Sequence, residues 1–597
     1  ITASSSSLIV LNGYGFNKSM ILIEENNFED IDFAQDNTKY IFSIDSLTDI
    51  AFNRNSFSNL KGHITVFHLP NSQKSDTLYA RRNKLISSNI ASFLFYGKNN
   101  LTNLNFTSNV FLENTFTQSC LTVNLRDAKG NWTIENNNFT DNNLAPNSAN
   151  KQIELYALFR IFVTEAYDSS NIVFNYNTID KLSIYPYSKT NSIAENYILS
   201  FETPQPVTIN NLTLLNVAAN SIKASVMYIS DSAQLILNNS YFELIRVKSD
   251  YGVMNLLSKV NIISNSYFKN IVNTGDRGLF YIDPPSGTYS ARLYNNSFLM
   301  INAASFGSIF VAQSSRVVST RRGGSAEIKD RFFLNFEMKN CSCSDSGFGY
   351  LITLFNTTCI DCLIQESSFT DFRETVSIID SFVKIEGSEG ILRVKNTTFP
   401  SDPKMRASLP LVQMKDSTMS LHFINFAYDA QGRSFSLIQM NHGKFYLQDS
   451  IIRNVVLDTM PIIQVIATDT ETLNNKYTNN TNVIINRTQI LNVTKSPITI
   501  PRMEHIVELL SYRYTFSDNP LILAKQKRIG GVVFVANPTR LDIRDSYFED
   551  IINTPVAFFS ESADVNYNSR VKSHIYFYNS TFRNLSFTMG PALTVIP

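Results

Sequence analysis

Short runs of alternating apolar and polar residues recur along the chain and end at turns that contain asparagine or aspartate. Leu541-Asp542-Ile543-Arg544 and His574-Ile575-Tyr576-Phe577-Tyr578 show the period of two that is typical of a strand with one buried face. Asn-Gly and Asp-Gly dipeptides, which regular antiparallel hairpins favour, are almost absent between these runs. The pattern therefore predicts an all-β chain whose strands meet at corners rather than at tight hairpins.

One phrase follows these runs and returns along nearly the whole chain. Its general form is apolar-x-apolar-x-[Asn/Asp]-[Ser/Thr]-x-Phe-x-[Asn/Asp]-[Ile/Leu/Val], and three copies near the middle follow one another at about 26 to 30 residues, which is the range of repeat arrays. The copies begin at Asn26, Asn55, Asn138, Leu237, Ser264, Tyr294, Ser367, Asn396, Asp449, Asp545 and Asn579.

The phrase predicts a sharp corner between two strands. Asn and Asp adopt the left-handed backbone conformation more readily than other non-glycine residues, so they bend the chain without glycine. The Ser or Thr then begins a new strand, in which Phe and the aliphatic residue three places later both reach the interior after a local bend or bulge. Corners that stack in successive repeats allow side-chain amides to form a hydrogen-bonded ladder. One repeat is too small to bury its own face, so stability comes from stacking neighbours.

These repeats resemble the right-handed parallel β-helix, or pectin-lyase-like, superfamily, whose coils carry an Asn at the tight turn between two strands. They also resemble large repeat-bearing surface proteins of protists. The resemblance covers roughly residues 20 to 597 and implies an all-β, right-handed parallel β-helix solenoid. A period of ~27 residues gives about 20 coils, and ~4.8 Å between stacked strands gives a rod roughly 100 Å long.

We expect residues 1–597 to form a single β-helix array with loop insertions. The rhythm breaks at about 144–202, 314–326 and 469–530, and loops that project from such an array are favourable places for specific contacts. The chain starts without Met and stops inside strand-like sequence, so we expect it to be a piece of a longer protein. No run approaches the roughly 18 apolar residues that a spanning helix needs, and we expect no membrane span in this segment.

Four of the five cysteines form a cluster at residues 341–362. Their C-x-C and C-x-x-C spacings fit two disulfides that tie adjacent coils, a zinc site with four thiolates, or free or partly paired thiols. For an extracellular chain the disulfides are favoured, so no metal is expected, and Cys120 is expected to be a buried small apolar residue. The predicted disulfide cysteines are Cys341, Cys343, Cys359 and Cys362.

Asn-x-Ser/Thr sequons are abundant, and their place at turns predicts N-linked glycans in a secretory compartment. Chance accounts for many of them in a chain so rich in Asn, Ser and Thr. The predicted sites are Asn17, Asn100, Asn105, Asn131, Asn138, Asn211, Asn238, Asn295, Asn340, Asn356, Asn396, Asn479, Asn486, Asn492, Asn579 and Asn584.

Charge and motifs exclude several classes of function. Lys and Arg number 51 and balance 51 Asp and Glu, which leaves no electrostatic footprint for nucleic acid. We find no polygalacturonase-like or pectate-lyase-like signature, no nucleotide-binding loop and no metalloprotease spacing among the six histidines. No catalytic residue and no cofactor other than N-linked glycans is therefore predicted.

The sequence thus indicates a non-enzymatic structural glycoprotein, a rigid rod of a cell-surface coat, appendage or filament that associates with itself. Other surface glycoproteins or glycans are further candidate partners, and the expected location is extracellular or at the cell surface. Two alternatives remain open: a polysaccharide lyase or hydrolase that acts along one face, which needs acidic and basic residues to meet on neighbouring coils, and an adhesin that binds glycans through the insertions.

Overall fold

A computed structural model shows that the described part of the chain is all-β, with strands and no helix. The structure describes residues 7–13, 20–33, 39–46, 49–69, 75–97, 100–128, 130–145, 156–166, 170–185, 196–219, 224–230, 232, 234–275, 277–284, 286–303, 308–314, 332–344, 350–370, 381–399, 410–415, 417–457, 461–466, 481–495, 532–536, 540–554, 556–560, 574–586 and 593–596. No helix among these residues is long and apolar enough to cross a membrane.

The chain divides into two compact units. Unit 1 comprises Ile1–Asp283 and Tyr289–Phe310, and unit 2 comprises Pro284–Thr288 and Val311–Pro597. Strands β30 (Thr288–Tyr294) and β32 (Phe310–Gln313) contain residues of both units. Continuity of one array through residues 1–597 stays a prediction.

Unit 1 contains short strands separated by corners and loops. In chain order they are β1 (Ser7–Gly13), β2 (Met20–Glu24), β3 (Asn27–Glu29), β4 (Lys39–Ser46), β5 (Asp49–Asn53), β6 (Ser56–Ser58), β7 (Ile64–Leu69), β8 (Ser75–Arg81), β9 (Lys84–Ile86), β10 (Asn89–Gly97), β11 (Asn100–Thr107), β12 (Val110–Leu112), β13 (Thr115–Ala128), β14 (Asn131–Glu135), β15 (Asn138–Thr140), β16 (Asn143–Leu144), β17 (Tyr156–Ala166), β18 (Asn171–Asn175), β19 (Thr178–Ile184), β20 (Asn196–Glu202), β21 (Val207–Asn210), β22 (Thr213–Ala219), β23 (Ala224–Ser230), β24 (Gln234–Asn238), β25 (Tyr241–Val247), β26 (Met254–Leu256), β27 (Val260–Ser264), β28 (Tyr267–Asn273), β29 (Phe280–Ile282) and β31 (Ser297–Ala303).

Unit 2 has strands of the same kind. They are β33 (Phe333–Lys339), β34 (Ser342–Ser344), β35 (Tyr350–Phe355), β36 (Thr358–Gln365), β37 (Ser368–Thr370), β38 (Ser381–Glu386), β39 (Glu389–Lys395), β40 (Pro410–Lys415), β41 (Ser420–Ile424), β42 (Ala427–Arg433), β43 (Ser436–Met440), β44 (Lys444–Gln448), β45 (Ile451–Leu457), β46 (Ile463–Ile466), β47 (Asn482–Asn486), β48 (Gln489–Lys495), β49 (Val533–Ala536), β50 (Arg540–Arg544), β51 (Tyr547–Ile552), β52 (Ala557–Ser560), β53 (His574–Tyr578), β54 (Thr581–Arg583) and β55 (Leu593–Ile596).

Strands pair in parallel with the equivalent strand of the next repeat, usually three strands later. In unit 1, β22 pairs with β25, β25 with β28 and β28 with β31. In unit 2, β44 pairs with β47 and β47 with β50, while β42, β45, β48, β51 and β54 form a sheet of their own. Equivalent positions of successive repeats therefore lie side by side.

The interior is built from the aliphatic and phenylalanine positions of the repeat. Phe242, Phe268 and Phe298 align in register and are 0% exposed, and their ring centroids lie 4.9 and 5.4 Å apart. Such stacked rings each bury a large apolar surface. The alternation of buried and half-buried residues in β24 and β27 is the period of two read from the sequence.

Two of the three predicted insertions fall mainly outside the described residues. Of 314–326 only residue 314 is described, and of 469–530 only 481–495, which contain β47 and β48 and pair in parallel with β44 and β45. Within 144–202, β17 to β20 pair in parallel with neighbouring strands, so the repeat continues there. This copy departs from the repeat phrase, because it reads Asn175-Tyr176-Asn177-Thr178-Ile179, with Ile in place of Phe.

Candidate functional site

Each well-formed repeat contains two corner residues in the left-handed backbone conformation, and they lie five positions apart. The spacing accounts for the predicted bend, because the second corner lets both the apolar residue two places before it and the aliphatic residue directly after it face the interior. Their φ angles lie between 46° and 57°, in the pairs Glu25/Asp30, Arg54/Asn59, Arg82/Ser87, Ser108/Glu113, Asn136/Asp141, Tyr176/Lys181, Asn211/Asn216, Asn239/Leu244, Asn265/Asn270, Asn295/Met300, Asp449/Asn454, Arg487/Asn492, Asp545/Asp550 and Asn579/Asn584.

A buried asparagine ladder runs beside the first corner in the earlier repeats. Asn83 Nδ2 donates to Asn109 Oδ1 at 3.0 Å, and Asn109 Nδ2 donates to Asn137 Oδ1 at 2.9 Å. Each amide also bonds to backbone, as Asn109 Nδ2 does to the Ala80 carbonyl at 2.9 Å. The ladder residues are Asn26, which is exposed at its end, and the buried Asn55, Asn83, Asn109, Asn137 and Asn177. Buried amides with all partners present stabilise a single register.

The ladder residue and the corner residue are neighbours rather than one residue, which refines the sequence prediction. In the first copies the left-handed residue is Glu25 or Arg54, and the asparagine that follows joins the ladder, Asn26 at its exposed end and Asn55 buried. From Asn211 onward most first corners are themselves Asn. The buried place after the corner is then often Ser: Ser240 Oγ accepts the Leu212 N–H at 3.2 Å and Ser266 Oγ accepts the Ser240 N–H at 3.1 Å.

This exchange puts sequon asparagines at exposed corners. Eight of them have positive φ: Asn211, Asn295, Asn340, Asn356, Asn396, Asn492, Asn579 and Asn584. The exposed sequon asparagines are Asn131, Asn138, Asn295, Asn340, Asn396, Asn492, Asn579 and Asn584, whereas Asn105, Asn211, Asn238 and Asn486 are half-buried. An exposed amide at a corner has room for a bulky glycan, which surface sites require.

Four predicted sequons stand apart. Asn17 and Asn479 lie outside the described residues, and so does the side chain of Asn100. Asn356 is only 7% exposed. Gly387 lies against it so closely that a Cβ added there would collide with Asn356 Oδ1. Asn356 therefore has no room for a sugar in the folded chain.

A second amide ladder joins the corner residues Asn265 and Asn295 of unit 1 to Asn238, which directly precedes the Asn239 corner. Asn295 Nδ2 donates to Asn265 Oδ1 at 3.1 Å, and Asn265 Nδ2 donates to Asn238 Oδ1 at 2.9 Å. Ser264 Oγ donates to the same Asn238 oxygen at 3.0 Å. Two of the three asparagines, Asn238 and Asn295, belong to sequons, so this ladder fixes the direction of side chains that are candidates for modification.

A tyrosine and charge cluster lies next to this ladder, and sequence analysis missed it. Tyr241 and Tyr267 stack with centroids 5.2 Å apart at 11°. Tyr241 Oη donates to Glu243 at 2.5 Å, and Lys269 Nζ lies 2.7 Å from Glu243. The signal was available in the aligned Ser240-Tyr241-Phe242 and Ser266-Tyr267-Phe268, where the polar-side residue is aromatic twice in succession.

The electrostatics of this cluster disfavour base catalysis. The hydrogen bond to Glu243 raises the pKa of Tyr241, with smaller contributions from burial and from the Glu243 charge. The hydrogen bond from Lys269, then that from Tyr241, lowers the pKa of Glu243, and the same carboxylate raises the pKa of Lys269. A phenol and an ammonium that hold their protons more tightly are poor proton acceptors at neutral pH.

A second cluster in unit 2 contains a buried carboxylate between two arginines. The Asp542 side chain is 1% exposed and lies 2.5 Å from Arg540 and 2.7 Å from Arg544. Burial opposes ionisation of Asp542, but the hydrogen bonds and charges of both arginines outweigh it and lower the pKa of Asp542. The arrangement is therefore an ion triad that holds Asp542 as a carboxylate, not a general acid.

The predicted cysteine cluster is brought together only in part. Cys359 and Cys362 form a disulfide with Cα atoms 5.7 Å apart, and both lie in β36. The pair therefore stays within one strand instead of tying adjacent repeats. The register with β39 shifts between the two cysteines, which extrudes Ile360 and leaves it 51% exposed. Cys341 and Cys343 are buried, and their pairing stays a prediction.

Cys120 and the histidines show the effects of burial. Cys120 is 0% exposed, as predicted, and burial raises the pKa of its thiol well above the usual range. Burial also lowers the pKa of His68 to about 4 and lowers the pKa values of His63 and His422, the last with help from Arg393. Within the described ranges, no group of three or more His, Cys, Asp and Glu side chains has the arrangement of a metal site.

Comparisons with known proteins give no family. No protein-family model matches the chain, and no curated protein matches it. A solved structure of a PL6 family alginate lyase, AlyGC, is similar at 10% sequence identity over 96% of this chain and 100% of that chain, with a TM-score of 0.17. A TM-score of that size carries no argument about activity or substrate.

Proposed function

We propose that this chain is a right-handed parallel β-helix that serves as a non-enzymatic, N-glycosylated structural element of an extracellular coat or filament. Parallel pairing of equivalent strands and the buried asparagine ladder support the β-helix. Each repeat contributes the same corner, so further repeats can be added with the same backbone geometry.

The single observation that carries the glycoprotein part is the exposure of sequon asparagines at left-handed corners. Asn295, Asn340, Asn396, Asn492, Asn579 and Asn584 combine a positive φ with an exposed side chain. A glycan at such a corner projects from the sheet and leaves the strands and the core undisturbed. Repetition of the corner distributes sugar along the surface.

The first experiment is site-resolved occupancy in protein secreted from eukaryotic cells. Enzymatic release of N-glycans in ¹⁸O water converts each glycosylated Asn to labelled Asp, which peptide mass spectrometry detects. We expect label at Asn295, Asn396 and Asn579 and none at Asn356, the matched buried control. Secreted protein without label at the exposed sites, or with Asn356 labelled as fully as they are, would overturn the glycoprotein proposal.

Self-association is a separate part of the proposal. Terminal strands of a parallel stack offer unpaired backbone groups to another copy, which favours end-to-end association. Sedimentation velocity over a wide concentration range, with electron microscopy of the same samples, tests it. We expect oligomers or filaments that grow with concentration, and a protein that stays monomeric throughout removes this part.

The alternative, a polysaccharide lyase or hydrolase, meets a chemical objection at the tyrosine and charge cluster. Its Tyr241 and Lys269 have raised pKa values, whereas lyase chemistry needs a residue that accepts a proton readily. Incubation of the purified protein with uronate-containing and neutral polysaccharides, followed by an assay for new reducing ends, decides between the two. We expect no release of reducing ends above that of heat-denatured protein.

A further inference from the structure

The stacked tyrosines Tyr241 and Tyr267 lie on the outer side of their sheet. Each is followed by a phenylalanine, Phe242 or Phe268, that is 0% exposed and points into the core, so the tyrosine side chains point the other way. The two rings stack with centroids 5.2 Å apart, so each ring covers one face of the other. Each ring has a second face, which is directed along the stack toward the next repeat.

Small residues lie beside both of these outward faces. Tyr241 pairs in register with Thr213 on one side, and Tyr267 pairs with Ser297 on the other. Neither Thr nor Ser is large enough to cover a phenol ring. The residues directly opposite therefore leave the outer face of each ring largely uncovered, in the ~4.8 Å space between neighbouring strands.

The same two small residues complete sequons. Thr213 is the hydroxyl residue of Asn211-Leu212-Thr213, and Ser297 is that of Asn295-Asn296-Ser297. Both asparagines lie at left-handed corners, with φ of 52° and 53°. Each asparagine comes two residues before the residue that pairs with the tyrosine, and a chain advances at most ~3.3 Å per residue, so its Cα lies no more than roughly 8 Å from the tyrosine Cα on the adjacent strand. An asparagine side chain and one pyranose ring span that distance.

The Asn295 side chain is already directed toward the repeat that contains Tyr267. Its Nδ2 donates to Asn265 Oδ1 at 3.1 Å. N-glycosylation replaces one of the two Nδ2 hydrogens with the anomeric carbon of N-acetylglucosamine. The lipid-linked diphosphate of the donor leaves, and the displaced hydrogen departs as a proton. The remaining N–H keeps the bond to Asn265, so the sugar is held beside the Tyr267 strand.

Hydrogen bonds and an ion pair also hold the two tyrosine rings in place. Glu243 accepts the Tyr241 hydroxyl at 2.5 Å and pairs with Lys269 at 2.7 Å, and these two residues belong to the two strands that carry the tyrosines. This cross-strand bridge holds the pair in one arrangement. A preformed aromatic face binds a partner with less loss of side-chain freedom than a mobile one.

We propose that Tyr267 and Tyr241 form a docking platform for the first N-acetylglucosamine of the glycans on Asn295 and Asn211, each sugar resting its C–H face on one outer ring face. This inference rests on the glycosylation in the proposed function. It assigns the tyrosine pair a binding role toward the chain's own glycans, and it makes those two glycans ordered parts of the surface.

The test compares Tyr267→Ala with Tyr267→Phe in full-length secreted protein whose glycans carry ¹³C-labelled acetyl groups. Tyr267→Phe keeps the ring and is the matched control. Ser297→Ala removes the sequon while leaving Asn295 in place, and it identifies the acetyl signal of that glycan. Mass spectrometry of the Asn295 peptide gives occupancy in each variant.

We expect an upfield ring-current shift of the innermost acetyl methyl of the Asn295 glycan in the wild type and in Tyr267→Phe, and loss of that shift in Tyr267→Ala. We also expect Ser297→Ala to lower the melting temperature by about 1 °C or more when the ring is present and by less in the Tyr267→Ala background. Full occupancy with no shift and with additive melting temperatures would overturn the docking and leave the glycosylation standing. An unoccupied Asn295 would overturn both at this site.

Discussion

Asn109 and Asn137 are joined through buried side chains, with Asn109 Nδ2 donating to Asn137 Oδ1 at 2.9 Å across 28 residues of sequence. The Asn109 Oδ1 in turn accepts from both the backbone N–H and the Nδ2 of Asn83 at 3.0 Å. One side chain therefore links three successive repeats. Nothing in a single repeat requires asparagine there, because the requirement arises only when neighbours stack.

Replacement of Asn109 by alanine is expected to destabilise unit 1 by about 3 kcal/mol or more. It leaves the Asn83 donors and the Ala80 carbonyl buried without that partner, while Asn137 Oδ1 still accepts the backbone N–H of residue 109, and each unsatisfied group costs roughly 1 to 3 kcal/mol. Denaturant unfolding followed by circular dichroism measures the loss. The stability of Asn109→Ser is expected to lie between those of the wild type and Asn109→Ala, because serine accepts the N–H of the preceding repeat at equivalent places such as Ser266.

The control for this prediction is Asn124→Ala, which removes an exposed asparagine from β13 in the same unit. Surface substitutions of this kind usually change stability by less than about 0.5 kcal/mol. If Asn109→Ala shifts the unfolding midpoint no more than Asn124→Ala does, the ladder does not stabilise the repeats.

Leu244, the second corner residue of its repeat, is expected to lower the free energy of unfolding. It is 50% exposed and has φ of 55°, a conformation that disfavours residues other than Gly, Asn and Asp by roughly 1 to 2 kcal/mol. The next repeat has Asn270 at the equivalent place, with φ of 51°. We therefore expect Leu244→Asn to raise the free energy of unfolding by about 1 kcal/mol and Asn270→Leu to lower it by a similar amount.

Thermal unfolding of the two single variants and the double exchange measures these effects. The exchange of the two side chains keeps composition constant, so its net effect should be close to zero if backbone conformation alone matters. A stabilising Asn270→Leu would show instead that apolar packing at the corner outweighs the backbone preference.

The repeat and the all-β class could be predicted because they depend on local pattern. Phe242 and Phe268 carry a period that is visible in one chain, and their burial in register follows from it. The sequence does not reveal that Arg54 forms the left-handed corner while Asn55 forms the ladder. Asn55 is held in the ladder by its hydrogen bond to Asn83 of the next repeat, and the residue before it then adopts the corner conformation whatever its type. The Tyr241 and Tyr267 pair was missed because its meaning depends on alignment across strands.

The Cys359 pairing illustrates the same limit. Spacing alone fits a bond within the C-x-x-C, a bond between repeats and a zinc site equally well. The structure selects the local bond because a register shift between Cys359 and Cys362 brings their side chains to the same side of the strand. A bulge of this kind depends on the neighbouring strands and cannot be recognised from the residues of β36 themselves.

His68 is expected to make stability depend on pH. It stacks on Tyr40 at 3.7 Å and on Phe95 at 5.3 Å, and burial lowers its pKa from 6.5 to about 4. Since the unfolded chain binds this proton more readily, stability is full above about pH 6.5 and falls as pH drops toward 4. The shift corresponds to about 3 kcal/mol at most before solvent screening.

Urea unfolding at pH 7.5, 6 and 5 measures this dependence in the wild type and in His68→Phe, which keeps an aromatic ring in the stack and removes the titration. We expect the difference in free energy of unfolding between the two proteins to change in favour of His68→Phe as pH falls. A difference that stays constant from pH 7.5 to 5 would show that protonation of His68 is not coupled to folding.

The disulfide between Cys359 and Cys362 is expected to contribute about 2 kcal/mol, since it closes a loop of only a few residues. Non-reducing peptide mapping should recover both cysteines in one linked peptide. Reductant should then lower the unfolding midpoint of the wild type and of Cys120→Ala alike, because Cys120 is buried and outside the disulfide. The double variant Cys359→Ser/Cys362→Ser should be insensitive to reductant. Linked peptides that join Cys341 or Cys343 to Cys359 or Cys362 would instead support bonds between repeats, and the register shift in β36 would then need another cause.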